Sequence, residues 1–142
     1  MIKLVRLDYR LLHGHVMILL IGGTGQGKLA YAIEKTGCGP EDVACDPEAA
    51  RRKPIFVGLE SWIREHPDEN LEEKLDTVLE DNPDVVILCD EVGCGVVPID
   101  PGERSWREAV GRLCCVLARR ADRVERIFCG LSMVLKGEGA WK

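Results

Sequence analysis

The chain has 142 residues, of which 46% are hydrophobic and 30% are charged, and its formal net charge is −5. This composition is typical of one globular domain, and the acidic balance argues against a nucleic-acid partner, which usually leaves a basic patch. The longest apolar run, Val16 to Ile21, is too short to span a bilayer, and no signal-like apolar core follows Lys3 and Arg6. We therefore expect a cytoplasmic protein without a membrane span.

Cysteine is common for a chain of this size. No export signal and no C-x-x-C pair accompany the seven residues, and Cys114 and Cys115 are direct neighbours, which is not the spacing of zinc ligands. We therefore predict reduced, mostly buried thiols rather than a disulfide framework or a zinc site. The seven are Cys38, Cys45, Cys89, Cys94, Cys114, Cys115 and Cys129.

In the first half of the chain, strand and helix patterns alternate. The apolar run over 15–21 predicts a strand buried on both faces, and Lys28–Thr36 predicts a helix. Prolines and mixed charges predict that Cys38–Lys53 is mostly loop. A short strand is expected at Pro54–Val57, followed by a helical turn or two at Glu60–His66.

The second half repeats this alternation. An amphipathic helix is predicted by the spacing of Leu71, Leu75, Val78 and Leu79. A buried strand at Val85–Cys89 and a turn-rich segment at Gly93–Gly102 come next. A long helix follows at Arg104–Arg120, with an apolar stripe at Trp106, Val110, Leu113 and Leu117. Two closing strands are predicted at Val124–Cys129 and Ser132–Leu135. The pattern predicts an α/β fold with a mainly parallel sheet flanked by helices.

A glycine-rich segment lies directly between the first strand and the first helix. It fits the phosphate-loop pattern G-x-x-x-x-G-K, in which curled backbone N–H groups, the helix N-terminus and a lysine meet phosphates. The alternative is a merely tight strand-to-helix turn. The pattern predicts a P-loop NTPase-like fold, with a catalytic role for Lys28 and nucleotide contacts from Gly22, Gly23, Thr24, Gly25, Gln26, Gly27, Lys28 and Leu29.

Position 29 departs from that pattern. The motif usually continues with Ser or Thr, whose hydroxyl holds Mg²⁺, but residue 29 is Leu. Thr24 lies inside the loop and is not an obvious substitute from the sequence. The motif therefore predicts phosphate binding more directly than phosphoryl transfer, which depends on a well-placed metal.

An acidic pair, Asp90-Glu91, follows the strand Val85–Cys89 in the manner of a Walker-B segment. A carboxylate at the carboxyl end of a parallel strand reaches the crevice beside a phosphate loop. We predict both residues as Mg²⁺ ligands and Glu91 also as a catalytic residue. The alternative is a solvated acidic pair at the start of a loop.

Downstream residues carry a family resemblance. The segment Cys89-Asp-Glu-Val-Gly-Cys-Gly-Val-Val-Pro98 resembles the N-E-V-G-x-G-x-V-P segment of the adenosylcobinamide kinase/adenosylcobinamide-phosphate guanylyltransferase family. Arg104, Trp106, Arg107 and Arg112 follow at the spacing found in that family. Cys129–Lys136 is similar to the family's closing pair of strands. Leu59–Trp62 resembles a Glu-x-Trp segment of the family, which adds Glu60 to the expected nucleotide-binding residues. The resemblance runs from about Met17 to Gly137.

The resemblance implies a P-loop enzyme of cobalamin biosynthesis that uses ATP or GTP with Mg²⁺. In the family, a nucleoside triphosphate phosphorylates the aminopropanol arm of adenosylcobinamide, and GTP then donates GMP through a guanylylated histidine. It also implies a homo-oligomer, often a trimer. The family match favours Arg104, Arg107 and Arg112 as ligands of phosphates or a corrin side chain, although Glu103 and Glu108 are available as surface ion-pair partners.

The chain lacks one part of the family pattern. The segment that carries the family's histidine is replaced by Cys38–Lys53, which has no histidine, and a strand before the Leu71 helix is missing. His66, next to Pro67, is expected to be a solvated residue rather than a nucleophile. A second hypothesis is therefore a nucleotide- or corrinoid-binding module that has lost catalytic chemistry.

The N-terminus resembles a different family. Residues 1–16 are similar to the start of mannose/sorbose-type phosphotransferase IIB subunits, which would make His13 a phosphoryl carrier. That resemblance ends at Val16, so a phosphotransferase component is the third hypothesis. We predict an N-terminal extension at 1–16 and a single P-loop domain at 17–142.

Overall fold

The computed structural model describes residues 14–93 and 95–137. Its strands are β1 (Ile18–Gly22), β2 (Val43–Ala44), β3 (Ile55–Phe56), β4 (Val86–Asp90), β5 (Arg123–Phe128) and β6 (Leu131–Lys136). They form one sheet in the order β2-β3-β4-β1-β5-β6. All neighbouring pairs are parallel except β5 and β6, which form an antiparallel hairpin at the edge.

Five helices of the described residues flank this sheet: α1 (Lys28–Thr36), α2 (Pro47–Ala50), α3 (Leu59–Glu65), α4 (Leu71–Asp81) and α5 (Pro101–Arg120). Helix α1 covers one face through Ala32, and α2 to α5 cover the other. The predicted α/β architecture with a mainly parallel sheet is confirmed.

Burial on both faces explains why β1 is apolar throughout. Ile18 and Leu20 pack on the side of α1, whereas Leu19 packs on the side of the other helices. Successive side chains of a strand point to opposite faces, so a strand covered on both sides needs apolar residues at every position. The same reason accounts for the run Val86–Cys89 in β4.

The prediction that Cys38–Lys53 is mostly loop was wrong in part. This segment contains β2 and α2, and a turn of 3₁₀-helix precedes them at Pro40–Asp42. Helix α2 begins because Asp46 accepts a hydrogen bond from the N–H of Ala49 at 2.9 Å. Elements of two and four residues are too short to show a hydrophobic period, which is why the sequence did not predict them.

Two predicted boundaries shift slightly. Helix α5 begins at Pro101 rather than near Arg104, because Asp100 accepts from the N–H of Glu103 at 2.8 Å and caps the helix. Val16, which we assigned to the N-terminal extension, is 1% exposed, and its N–H donates to Asp84 at 2.8 Å. Packing therefore begins before Met17, while residues 1–13 of the proposed extension, His13 included, lie outside the described residues.

Two expectations concern cysteines and membranes. The six cysteines in the described part of the chain are free thiols. The prediction that they are mostly buried was wrong: Cys38 and Cys89 are buried and Cys114 is half-buried, but Cys45, Cys115 and Cys129 are exposed. In the same part of the chain, no helix combines the length and the apolar character needed to cross a membrane.

Candidate functional site

The glycine-rich loop between β1 and α1 turns through two residues with left-handed backbone. Gly25 has a φ of 72° and Gly27 a φ of 92°, a region that residues with side chains rarely adopt. Gly27 directly precedes α1, so the positive end of the helix opens onto the loop. The loop therefore has the strand–turn–helix context that the phosphate-loop motif requires.

Lys28 is the first residue of α1 and is 8% exposed. Its Nζ donates to the carbonyl oxygens of Gly22 at 3.0 Å and Gly23 at 2.8 Å. The same Nζ lies 2.6 Å from Oδ1 of Asp90. An ammonium group has three donors, so these three oxygens hold Lys28 between the loop and the end of β4.

Asp90 ends β4 and contacts three other parts of the site. Besides Lys28, its Oδ2 accepts from Oγ1 of Thr24 at 2.7 Å, and its N–H donates to Oε2 of Glu60 at 3.2 Å. Burial raises the pKa of Asp90, but the hydrogen bonds from Lys28 and Thr24 outweigh it and hold this pKa below its usual range. The carboxylate is therefore ionised at neutral pH.

Glu60 lies in the first turn of α3 and joins that helix to the rest of the site. Its carboxylate meets the backbone of Asp90, and its carbonyl oxygen accepts from Nε1 of Trp106 at 2.7 Å. Trp106 belongs to α5, and the guanidinium of Arg64 lies 3.7 Å from its ring centroid. Helices α3 and α5 thus meet the end of β4 at Glu60, which we expected at a nucleotide site only through the family resemblance.

A cavity of about 270 Å³ lies beside the glycine-rich loop. Gln26, Lys28, Leu29, Glu60 and Asp90 are among its lining residues. The structure therefore brings together, around one cavity, the glycine-rich loop, Leu29 at the position where the motif usually has Ser or Thr, and Asp90 of the Walker-B pair.

Glu91 has a different neighbourhood from Asp90. It forms a two-point ion pair with Arg126 of β5, at 2.9 Å from Nε and 3.1 Å from Nη2. Its N–H donates to the carbonyl oxygen of Gly22 at 2.9 Å. The sequence did not point to Arg126, because a lone arginine on a strand belongs to no motif.

The described residues contain no group of three or more His, Cys, Asp or Glu side chains that would hold a metal ion. Mg²⁺ on a nucleotide usually takes only one or two protein oxygens, and phosphates and water complete its shell. Asp90 and Thr24 present a carboxylate and a hydroxyl oxygen 2.7 Å apart. This donor set fits Mg²⁺, whereas Leu29 contributes no oxygen.

The three predicted phosphate-binding arginines are not brought to one point. Arg104 donates to the carbonyl oxygens of Pro98 at 2.9 Å and Ile99 at 2.8 Å. Arg107 donates to Val96 at 3.0 Å, and its Nε is buried without a partner. These two residues hold the loop before α5, and their predicted role in phosphate binding stays a prediction.

Arg112, the third arginine of the set, lines a separate cavity of about 510 Å³ between α3, α4 and α5. Trp106 and Arg64 line the same cavity. Arg64 also pairs with Glu103 at 2.9 Å, and its hydrogen bond lowers the pKa of that carboxyl group. Glu103, which the sequence suggested as an ion-pair partner for the predicted arginines, therefore pairs with Arg64.

The described histidines lie outside the loop cavity. His66 stacks on Trp62 with ring centroids 4.5 Å apart, and its Nδ1 lies 2.9 Å from the carbonyl oxygen of Trp62. His15 lies 3.1 Å from Asp84. His66 is part of a packed aromatic pair, which differs from the solvated residue that we expected.

The turn of the β5–β6 hairpin contacts the glycine-rich loop, which the sequence did not predict. The N–H of Cys129 donates to Oε1 of Gln26, and the N–H of Gly130 to the carbonyl oxygen of Gln26, both at 2.8 Å. Gln26 therefore connects the loop to β5 and β6. The contact arises because β1 pairs with β5, a strand about a hundred residues further along the chain, and the sequence alone does not show that pairing.

A mainly parallel α/β sheet with this loop, lysine and strand-end carboxylate defines a P-loop protein. The chain belongs to the cobinamide kinase / cobinamide phosphate guanyltransferase family, whose model matches residues 49–135, more than half of the chain. The match begins after the glycine-rich loop, so the assignment of that loop rests on its own geometry. The resemblance of residues 1–16 to phosphotransferase subunits is not supported by any match. No curated protein matches the chain.

Proposed function

We propose that this chain is a nucleotide-dependent kinase that acts on adenosylcobinamide. The observation that carries the proposal is the contact of Lys28 with Asp90 at 2.6 Å, beside the loop cavity, in a member of a cobinamide kinase family. A lysine and an acidic strand end that meet at a glycine-rich loop are the parts that phosphoryl transfer from a nucleotide requires.

Each residue has a stated task in this proposal. The N–H groups of residues 23–27 and the N-terminus of α1 bind the phosphates, and Lys28 exchanges its present oxygens for those of the terminal phosphates. Bound Mg²⁺ supplies positive charge that offsets the charge of the phosphate oxygens, and Asp90 and Thr24 would hold it. Glu60 and Trp106 fix the wall of the cavity. Glu91 is paired with Arg126, and its catalytic or metal-binding role stays a prediction.

The guanylyltransferase half of the family activity is not part of the proposal. The resemblance implies a histidine intermediate, and Cys38–Lys53 contains no histidine. The second candidate function, a binding module without chemistry, is favoured by one observation: Leu29 offers no hydroxyl where the motif usually has one.

Transfer of label tests the kinase. Protein would be incubated with Mg²⁺, adenosylcobinamide and γ-labelled ATP or GTP, beside Lys28→Ala and the matched control Lys35→Ala, which changes the last turn of the same helix. We expect label on the corrinoid with the unsubstituted chain and the control, and none with Lys28→Ala. Nucleotide binding without transfer would favour the binding module instead.

We place the corrinoid on the loop before α5. Val96, Val97 and Ile99 are 88%, 73% and 94% exposed, and Arg104 and Arg107 hold this loop through its carbonyl oxygens. An exposed apolar segment offers a contact for a large, partly apolar ring system. Val97→Asp is then expected to raise KM for adenosylcobinamide and leave nucleotide affinity unchanged; an unchanged KM would contradict this placement.

We also propose that the chain forms a homo-oligomer through the β5–β6 hairpin. Phe128, Leu131 and Met133 are 62%, 73% and 60% exposed, and the strand register puts them on one face. Sedimentation velocity would compare Leu131→Asp with Val97→Asp, because residues 97 and 131 have the same exposure. We expect only Leu131→Asp to lower the mass of the assembly, and a monomeric unsubstituted chain would contradict the proposal.

The domain division stays a proposal as well. Removal of residues 1–13 leaves Val16 and its contact with Asp84 in place. We therefore expect the shortened chain to retain the nucleotide affinity of the full chain. Loss of that affinity, measured by calorimetry, would make the extension part of the site.

A further inference from the structure

The side chain at position 29 cannot serve a metal ion. Leu29 is the second residue of α1, is 39% exposed and lines the cavity beside the loop. Its hydrocarbon side chain offers no lone pair, whereas Mg²⁺ binds oxygen ligands. A chain that uses Mg²⁺ with its nucleotide therefore needs a hydroxyl from another position.

Thr24 presents such a hydroxyl at the same end of the sheet. Its side chain is exposed, and its Oγ1 donates to Oδ2 of Asp90 at 2.7 Å. The other carboxylate oxygen, Oδ1, lies 2.6 Å from Nζ of Lys28. The hydroxyl, the carboxylate and the ammonium come from the loop, β4 and α1, and they meet at one point.

The direction of this hydrogen bond determines what the hydroxyl can do. A threonine hydroxyl has one proton and two lone pairs. Its proton is committed to Asp90, so a lone pair of Oγ1 is the part that remains for a cation. A charged acceptor strengthens the hydrogen bond and fixes the orientation of the hydroxyl.

We propose that Thr24 supplies, together with Asp90, the metal-binding hydroxyl that the phosphate-loop motif usually has at position 29. The ligand is a divalent cation carried by a nucleoside triphosphate. This inference rests on the proposed function, since it requires a nucleotide in the loop. It assigns to Thr24 a role that its place in the sequence did not suggest.

A purely structural role for Thr24 makes a different prediction. A hydroxyl that only ties the loop to β4 affects nucleotide binding equally with and without a cation. A hydroxyl that holds the cation affects binding only when the cation is present. The dependence of nucleotide affinity on Mg²⁺ therefore separates the two roles without any measurement of turnover.

The experiment compares Thr24→Val, which removes the hydroxyl and keeps the shape, with Thr24→Ser, which keeps the hydroxyl. Calorimetry would measure the affinity for a non-hydrolysable ATP or GTP analogue in EDTA and in excess Mg²⁺. We expect Mg²⁺ to tighten binding to the unsubstituted and Ser chains. In the Val chain we expect the gain in affinity caused by Mg²⁺ to fall by about tenfold or more, a loss that exceeds any loss of affinity in EDTA.

Three results would overturn the inference, and they are distinguishable. Lys28-dependent nucleotide binding whose Mg²⁺ tightening survives in Thr24→Val removes Thr24 from the metal site and leaves the kinase proposal standing. A chain that binds no nucleotide in a Lys28-dependent way overturns both proposals. Equal losses in EDTA and Mg²⁺ show that Thr24 acts through the loop alone, which also overturns the inference.

Discussion

Asp90 combines the electrostatics of the site in one side chain. It meets the ammonium of Lys28 at 2.6 Å and the hydroxyl of Thr24 at 2.7 Å, and these contacts lower its pKa despite partial burial. The identity of Asp90 as a strand-end carboxylate followed from the sequence. The contact with Thr24 did not follow from the sequence. Thr24 lies in a loop, where no helix or strand period predicts the direction of a side chain.

The lowered pKa makes the stability of the protein depend on pH. A carboxyl group with a depressed folded-state pKa stabilises the fold above the unfolded pKa, and this contribution is lost as pH falls through the folded pKa. We expect the difference in free energy of unfolding between the unsubstituted chain and Asp90→Asn to shrink between about pH 6 and about pH 2. Urea unfolding across that range measures it, and a constant difference would contradict the assigned ion pair.

Gly22 illustrates a close approach that only a residue without Cβ allows. A Cβ atom there would lie 2.4 Å from the backbone oxygen of Ile127, so Gly22→Ala must displace β5. We expect a loss of about 1–3 kcal/mol in the free energy of unfolding. Gly111→Ala is the matched control, because its Cβ would meet nothing within 4 Å in α5. It should stabilise the protein by about 0.5–1 kcal/mol, and denaturant unfolding of both variants tests the opposite signs.

At the scale of elements, the long periodic segments were predicted well, whereas the short elements β2 and α2 were not. The apolar stripe of α5 predicted the helix, and its buried residues Val110, Leu113 and Leu117 are members of that stripe. The two-residue strands β2 and β3 lie at one edge of the sheet, where β3 pairs with β4. The sequence predicted a short strand at the position of β3. Strand β2 forms because β3 offers it hydrogen-bond partners, which is information that the residues of β2 do not contain.

The N-terminus of α5 gives a test at this scale. Asp100 accepts from the N–H of Glu103 at 2.8 Å, so Asp100→Ala leaves that donor without its cap. The expected loss is about 1 kcal/mol in the free energy of unfolding. Glu108→Ala removes the same charge from the exposed surface of the same helix, and thermal or urea unfolding should show a smaller change. Equal losses would attribute the effect to charge rather than to capping.

Across the whole molecule, a buried polar network joins α1 to the edge hairpin. Glu125 is fully buried and accepts from Tyr31 of α1, from Ser132 of β6 and, at 3.0 Å, from Nε of Arg123. Burial and the carboxylate of Glu125 raise the pKa of Tyr31 to about 12, so its hydroxyl stays a donor. Arg123 also donates to the carbonyl oxygen of Gly137 at 3.0 Å.

Removal of one charge from this network should destabilise the protein more than removal of both. Glu125→Leu leaves Arg123 buried without its carboxylate, and we expect a loss of about 3–5 kcal/mol. The double variant Arg123→Leu with Glu125→Leu should recover part of that loss, because no unpaired charge remains. Tyr31→Phe, which removes one donor, should lose only about 1 kcal/mol. A double variant less stable than Glu125→Leu in urea unfolding would contradict this account.

The sequence by itself determined the α/β class, the position of the glycine-rich loop and the family. Apolar runs, helical periodicity and glycine spacing are local features, and each is readable within about ten residues. Only the tertiary structure decided that Thr24 reaches Asp90, that Gln26 holds the hairpin turn, and that Arg126 pairs with Glu91. These contacts join residues 35 to 103 positions apart. These contacts depend on which strands lie next to each other in the sheet, and no local sequence pattern encodes that arrangement.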